Sequence, residues 1–283
     1  MLSSTAVRTV KFPSGETVPV LGQGTWHLAE DGHRREEEIH ALRIGLDLGM
    51  TLIDTAEMYA DGGAEELVGE AIEGRRNDVF LVSKVLPDHA TVRGTMTACE
   101  RSQRRLRTDH LDLYLLHWRG SIPLEETVSA FEALVEAGKI RYWGVSNFDI
   151  SDMEELVALD GGEDVTTNQV LYNLSRRGPE YDLFPWCRQR HIPIMAYSPI
   201  EQGRILNNSE LEAVAIRHSA TTAQVALAWV LQQDGVIAIP KASTARHVRE
   251  NRGAVEIRLT QQDMDALDRA FPPPTEPRPL EML

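Results

Sequence analysis

Along the chain, short apolar runs alternate with longer segments whose apolar positions recur at three- and four-residue spacing. The first segment, 7–20, reads as a hairpin: Val10 and Phe12 alternate with polar neighbours, Pro13-Ser14-Gly15 turns, and Val18 and Val20 resume the pattern. A short strand ends at Gly22-Gln23-Gly24-Thr25-Trp26, where the glycines permit close backbone approach to another strand or to a ligand. Helices are then expected over 35–49, 62–72, 91–106 and 124–137, separated by strands over 51–54, 79–84 and 111–117. A strand over 140–146 precedes a helix opened by Ser151, with Glu154 completing a capping box. A strand within 165–171, a helix over 179–190 and a strand over 193–198 follow. Thr221 and Gln224 form a second capping box, opening a densely apolar helix that runs through Trp229 and Leu231. The last elements are a strand over 236–239, helices over 244–251 and 260–270, and a proline-rich tail over 272–283.

The count is eight strand-then-helix units without a break in composition. The strands are short and apolar on both faces, as a parallel sheet covered by helices requires. The expected fold is α/β, a (β/α)8 TIM barrel with an N-terminal β-hairpin and extra C-terminal helices, formed by one domain over 1–283. An open doubly wound sheet fits less well, because Gly22-x-Gly24 lacks the third glycine of a dinucleotide fingerprint.

Charge narrows the function. A net charge of −14 over 283 residues argues against nucleic acid or an anionic membrane as partner. An anionic small molecule would need a local basic patch, and Lys241, Arg246, Arg249 and Arg252 supply one beside the hydroxyls of Ser243 and Thr244. Two isolated cysteines, Cys99 and Cys187, scattered histidines and Met1–Thr5 without an apolar signal core lead us to expect a cytoplasmic monomer with no metal site.

Three successive strands end in an ionisable group: Ile53 runs into Asp54, Ser83 into Lys84 and Leu116 into His117, with Tyr59 just beyond the first. In a parallel barrel all such ends share one face. Each residue has a structural explanation when taken singly, as a cap, a packed ring, a solvated amine or a hydrogen-bonded imidazole. Together they form a proton-delivery device. A phenol with a reference pKa near 10 is a weak acid at neutral pH, and a neighbouring ammonium is expected to pull it down. A carboxylate would hold that ammonium, and an imidazole would orient the oxygen receiving the proton. Carbonyl reduction needs such a device, and also a hydride that no side chain supplies.

Asp54 through Tyr59, Lys84, His117-Trp118, Gly144 through Asn147, Asn168-Gln169 and Ile239-Pro240-Lys241 resemble the signatures of the aldo-keto reductases, in order and spacing, over nearly the whole chain. The resemblance is greatest to short bacterial members that reduce methylglyoxal and other small aldehydes. It implies NADPH-dependent reduction with Tyr59 as general acid, Lys84 and Asp54 tuning it, and His117 orienting the carbonyl. Ser146, Asn147 and Gln169 would hold the nicotinamide carboxamide and Tyr197 would stack on its ring. Further cofactor contacts are implied at Gly24, Thr25, Trp26, Asp54, Ser198, Pro199, Gln202, Ile239, Pro240, Lys241, Ser243, Thr244 and Arg246, with Glu250 and Asn251 at the adenine. Trp26, Met58, Tyr59, His117 and Trp118 would form the substrate pocket. One departure is that the family's phosphate-binding arginine, six residues after Lys241, is here His247, with Arg246 before it. Arg246 is favoured for that contact, since a fixed charge can bind phosphate bidentately. The rival readings are a slow-turnover, cofactor-binding regulatory protein of the same fold, and a sugar hydrolase or aldolase using Lys84 as a Schiff base.

Overall fold

The computed structural model describes residues 6–283; the Met1–Thr5 stretch read for a signal core lies outside the described residues. The hairpin is β1 (Thr9–Lys11) and β2 (Thr17–Pro19). The eight-stranded sheet is β3 (Gln23–Gly24), β4 (Leu52–Asp54), β5 (Phe80–Val85), β6 (Leu111–Leu116), β7 (Ile140–Ser146), β8 (Asn168–Leu171), β9 (Ile194–Tyr197) and β10 (Val236–Ala238), each parallel to the next. The helices are α1 (Arg35–Asp47), α2 (Gly63–Ala71), α3 (Val92–Leu106), α4 (Leu124–Glu136), α5 (Ile150–Val157), α6 (Leu183–Gln189), α7 (Ser209–Arg217), α8 (Thr222–Leu231), α9 (Ala245–Gly253) and α10 (Gln261–Ala270).

Parallel bridges from Leu21 to Ala238 and from Gly24 to Lys241 close the barrel. Ala238 N–H donates to Val20 O at 2.8 Å, and Gly22 N–H donates back to Ala238 O at 2.9 Å. The close approach explains both glycines. A Cβ on Gly24 would lie 2.6 Å from the Ile239 carbonyl oxygen, and one on Gly22 would lie 2.9 Å from that of Leu52. The sequence left packing and ligand approach open here, and strand packing is what the geometry requires at both: against the closing strand for Gly24 and against β4 for Gly22.

Side chains inside the barrel stack with period two along each strand. Leu52, Phe80, Val82, Leu113, Leu115, Met195 and Ile237 form an inner apolar core. Phe12 and Val18 of the hairpin plug its lower end, with Phe12 5.6 Å from Phe80. Continuing the alternation one step upward from Leu52, Val82 and Leu115 reaches Asp54, Lys84 and His117. The apolar ladder thus ends in a polar top layer.

Local details differ from expectation. The capping box of α5 is Asp149 with Asp152, two residues before the Ser151 box. Asp149 caps as well as serine does and follows the fully buried Phe148, so burial sets the helix start. The 179–190 helix divides into a 3-10 turn, Gly178–Glu180, and α6. Helix α7, capped by Asn208, was not among the expected elements. The Thr221–Gln224 box opens α8 as expected.

Candidate active site

Tyr59 lies in the 3-10 turn that follows β4, on the rim carrying Asp54, Lys84 and His117. Lys84 Nζ, with no exposed surface, donates to Asp54 Oδ2 at 2.7 Å, Thr55 O at 2.9 Å and Tyr59 Oη at 3.1 Å. Gln169 Nε2 donates to the other Asp54 oxygen at 2.8 Å. The Tyr59 and His117 rings meet edge to face, their centroids 5.8 Å apart. Side chains from three strand ends and one turn therefore converge on the tyrosine hydroxyl. The three contacts on Lys84 also leave its nitrogen inaccessible to a carbonyl carbon, which removes the basis for a Schiff-base reading.

The electrostatics correct one expectation. Burial raises the Tyr59 hydroxyl well above an ordinary phenol, and the Asp54 carboxylate pushes the same way. Desolvation is the larger of these two causes, although Tyr59 as a residue is only part-buried. The phenol is held protonated as a loaded donor. Burial lowers Lys84, and Asp54 opposes the loss of its charge.

Burial, and then Lys84, hold His117 well below the usual imidazole range. Its Nδ1 is buried without a partner. An orphan acceptor is tolerated more readily than an orphan N–H, which places the ring proton on Nε2. A pH effect on stability follows. The unfolded histidine binds a proton below about pH 6.5 and the folded one does not, so stability is full above that pH and falls as pH drops through it. We expect the wild-type melting temperature to decline from pH 7 to pH 5.5, with His117 contributing at most about 1.4 kcal/mol per pH unit. A His117→Gln protein should decline less over that window, and an equal decline in thermal melts would contradict the assignment.

A second ring of polar groups lies beside this centre. Ser146 Oγ donates to Gln169 O at 2.9 Å, Asn147 Nδ2 donates to His117 O at 3.1 Å, and Tyr197 Oη donates to Asn147 Oδ1 at 2.9 Å. The structure thus brings Ser146, Asn147, Gln169 and Tyr197 together, with these donors already engaged within the protein. The 272–283 tail returns to the same rim: Glu281 pairs with Arg176, and the Leu283 backbone comes near the Tyr197 hydroxyl.

A cleft of about 610 Å3 runs outward from Asp54 and Tyr59. Of the residues expected at a cofactor, Gly24, Thr25, Trp26, Tyr197, Ser198, Pro199, Gln202, Ile239, Pro240, Lys241, Arg246, Glu250 and Asn251 line it. Asn251 Nδ2 is buried there without a hydrogen-bond partner, an unused donor such as a purine nitrogen could satisfy. Ser243 and Thr244 are not part of the wall. Ser243 Oγ accepts from Arg34 Nη2 at 2.9 Å, and Thr244 Oγ1 caps α9 by accepting from His247 N–H at 3.3 Å. Met58, 39% exposed, lies outside the wall, and so do His117 and Trp118, whose rings pack 4.9 Å apart.

The basic patch divides. Lys241 and Arg246 face the cleft, while Arg249 turns to Ala245 O, and Arg252 to Leu48 O and Glu256. Arg246 and His247 both reach the wall, and Arg246 Nη2 donates to His247 Nε2 at 2.9 Å, so the guanidinium is the fixed charge of the pair. The sequence reading did not place His27, Ile200, Leu206 or Thr221 through Ala223 at this wall. The capping signal at Thr221 was legible, but nothing local showed that the N-terminus of α8 opens onto the cleft.

A family model described as "Aldo/keto reductase family" matches residues 20–271. The chain is 52% identical over 281 residues to methylglyoxal reductase YeaE of Escherichia coli (strain K12), covering 98% of this chain and 99% of that protein. It is 36% identical over 263 residues to a glyoxal reductase of Bacillus subtilis (strain 168), covering 92% and 91%. Among solved structures, an aldo/keto reductase from Klebsiella pneumoniae in complex with NADP and acetate superposes with a TM-score of 0.96 at 51% identity, covering 99% of this chain and 100% of that one.

Proposed function

Since the chain belongs to the aldo/keto reductase family, we propose that it reduces small aldehydes, 2-oxoaldehydes such as methylglyoxal among them, with Tyr59 as the proton donor. It is an NADP-dependent oxidoreductase. The observation that carries the proposal is the contact of Lys84 Nζ with Tyr59 Oη at 3.1 Å and with Asp54 at 2.7 Å. Lys241, Arg246 and Asn251 in the cleft wall would help hold NADPH, which when bound would supply the hydride for the carbonyl carbon. As the carbonyl oxygen gains charge, Tyr59 passes it the hydroxyl proton. The Lys84 ammonium stabilises the phenolate left behind, Asp54 keeps that ammonium charged and aimed, and His117 Nε2–H donates to the same oxygen. Protonated Tyr59 and neutral His117 are the forms this sequence of events needs. Every group is supplied by one chain, so the reading requires no second copy, and we read residues 1–283 as one domain working as a monomer. The cytoplasm is the proposed location. Buried, unpaired Cys99 and Cys187, whose thiols burial pushes up to about 12, need no oxidising compartment.

Trp26, which shares the cleft with Tyr59, and Trp118, packed against the His117 ring, favour compact, apolar carbonyl compounds. In a substrate panel, methylglyoxal and short aromatic aldehydes should show the highest kcat/KM. A steroid ketone at the top would overturn this substrate class.

We also propose that NADPH is preferred over NADH through Lys241 and Arg246, which meet the 2′-phosphate. The Arg246 side chain is 75% exposed, so the contact belongs at the low end for charged hydrogen bonds. Arg246→Ala should weaken NADPH binding about tenfold, near 1.4 kcal/mol, and leave NADH almost unchanged. An unchanged ratio of dissociation constants would remove Arg246 from the role, and equal wild-type binding of the two cofactors would remove the preference.

A further inference from the structure

The turn that carries Tyr59 is held from outside as well as by its own backbone hydrogen bonds. Immediately after Tyr59, Ala60 (φ 48°), Asp61 (φ 52°) and Gly62 (φ 89°) are all left-handed. A left-handed alanine is disfavoured, because its Cβ crowds the backbone, and it persists where the surroundings over-determine the chain. Two buried carboxylates provide that restraint, and both connect the turn to the strand carrying Lys84. Glu65 Oε1 accepts from Ser83 Oγ at 2.5 Å, while Oε2 holds Arg105 Nε at 2.6 Å. Arg105 backs against Gly62, where an added Cβ would meet its Cδ at 2.6 Å. Glu57 is the other restraint, with only 5% of its side chain exposed. Its Oε1 accepts from Leu86 N–H at 2.9 Å and His89 Nδ1 at 2.8 Å, and its Oε2 accepts from Arg101 Nη2 at 3.3 Å. Its own N–H donates to Lys84 O at 3.4 Å.

Glu57 lies two residues before Tyr59, and Leu86 lies two residues after Lys84. None of its side-chain partners lines the cleft. A carboxylate buried against three donors, bridging the two segments whose tips meet at 3.1 Å, can reach the chemistry through that meeting point. We propose that Glu57 is a positioning residue for proton delivery: its carboxylate locks the Tyr59 turn to the segment after Lys84 and so sets the Tyr59–Lys84 contact. The inference rests on Tyr59 being the proton donor. Misplacing a catalytic group by about an ångström from outside the site can lower a rate by up to about 10²-fold.

The test is a double-mutant cycle read beside amide hydrogen exchange. Glu57→Gln keeps the shape and one acceptor but loses the charge that holds His89 and Arg101. It should lower kcat by about 10- to 100-fold, with KM for methylglyoxal and Kd for NADPH within about twofold. In a Tyr59→Phe background the same substitution should lower the residual single-turnover rate no further, since the group it positions is gone. In the cofactor-free protein, amides 58–62 should exchange faster in Glu57→Gln than in wild type. A rise in KM with unchanged kcat, an equal loss in the Tyr59→Phe background, or unaltered exchange over 58–62 would each overturn the proposal. Should Glu57→Gln fail to fold, Arg101→Ala loosens the same clamp from its exposed side and should show a smaller kcat loss with the same KM; an unchanged kcat would refute it. Full activity in Tyr59→Phe alone would instead remove the proton-donor reading on which this rests.

Discussion

Replacing Tyr59 by phenylalanine is expected to lower kcat for aldehyde reduction by about 10²–10⁴-fold, the range for removing a positioned general acid, while Kd for NADPH stays within about twofold. The substitution removes one oxygen and keeps the ring that meets His117 edge to face at 5.8 Å. Lys84 loses one of three contacts and keeps Asp54 and Thr55 O, so its charge stays satisfied. The effect should therefore fall on the chemical step. His117 also reaches the carbonyl oxygen in this account, but its pKa is held well below the usual range, so the ring is neutral and its remaining Nε2–H is too weak an acid to replace the phenol. A folded Tyr59→Phe protein with near-normal kcat would refute the assignment.

Lys84→Met is expected to reduce both activity and stability. The ammonium is fully buried and the Asp54 side chain is 3% exposed, so removing one partner strands a charge in the barrel. Breaking such a pair typically costs about 3–5 kcal/mol. The rate should fall by about 10²–10³-fold, because nothing then stabilises the phenolate formed as the proton leaves. The two effects are separable. Lys84→Met combined with Asp54→Asn removes both charges and should recover most of the lost stability in chemical denaturation, yet recover none of the activity. If the double variant regained activity along with stability, Lys84 would be a structural residue.

The convergence of Asp54, Tyr59, Lys84 and His117 was legible because three apolar runs each end in one ionisable residue, and period-two alternation places Asp54, Lys84 and His117 in a single layer above the inner core. The barrel was legible for a related reason, since most strands announce themselves by a short apolar run. What escaped depends on contacts distant in sequence. Arg34 takes the Ser243 hydroxyl across 209 residues, and the bond between them has no local signature. Glu57 stood inside the most informative stretch of the chain, but its partners at Leu86, His89 and Arg101 emerge only when the β5–α3 connection and α3 itself fold back beside it. The α5 box was misplaced because Asp149 and Ser151 are both good caps, and the burial of Phe148 decides between them. The direction of the Tyr59 shift was misread because spacing reveals a neighbouring ammonium but not the burial that raises the phenol.

The most direct test is to mix the purified protein with NADPH and methylglyoxal and follow the nicotinamide absorbance. Loss of absorbance that requires both the protein and the aldehyde, and that falls by at least about 10²-fold in Tyr59→Phe, is the expected result. Constant absorbance from a folded protein that binds NADPH would contradict the account and favour a cofactor-binding regulatory role for the same fold.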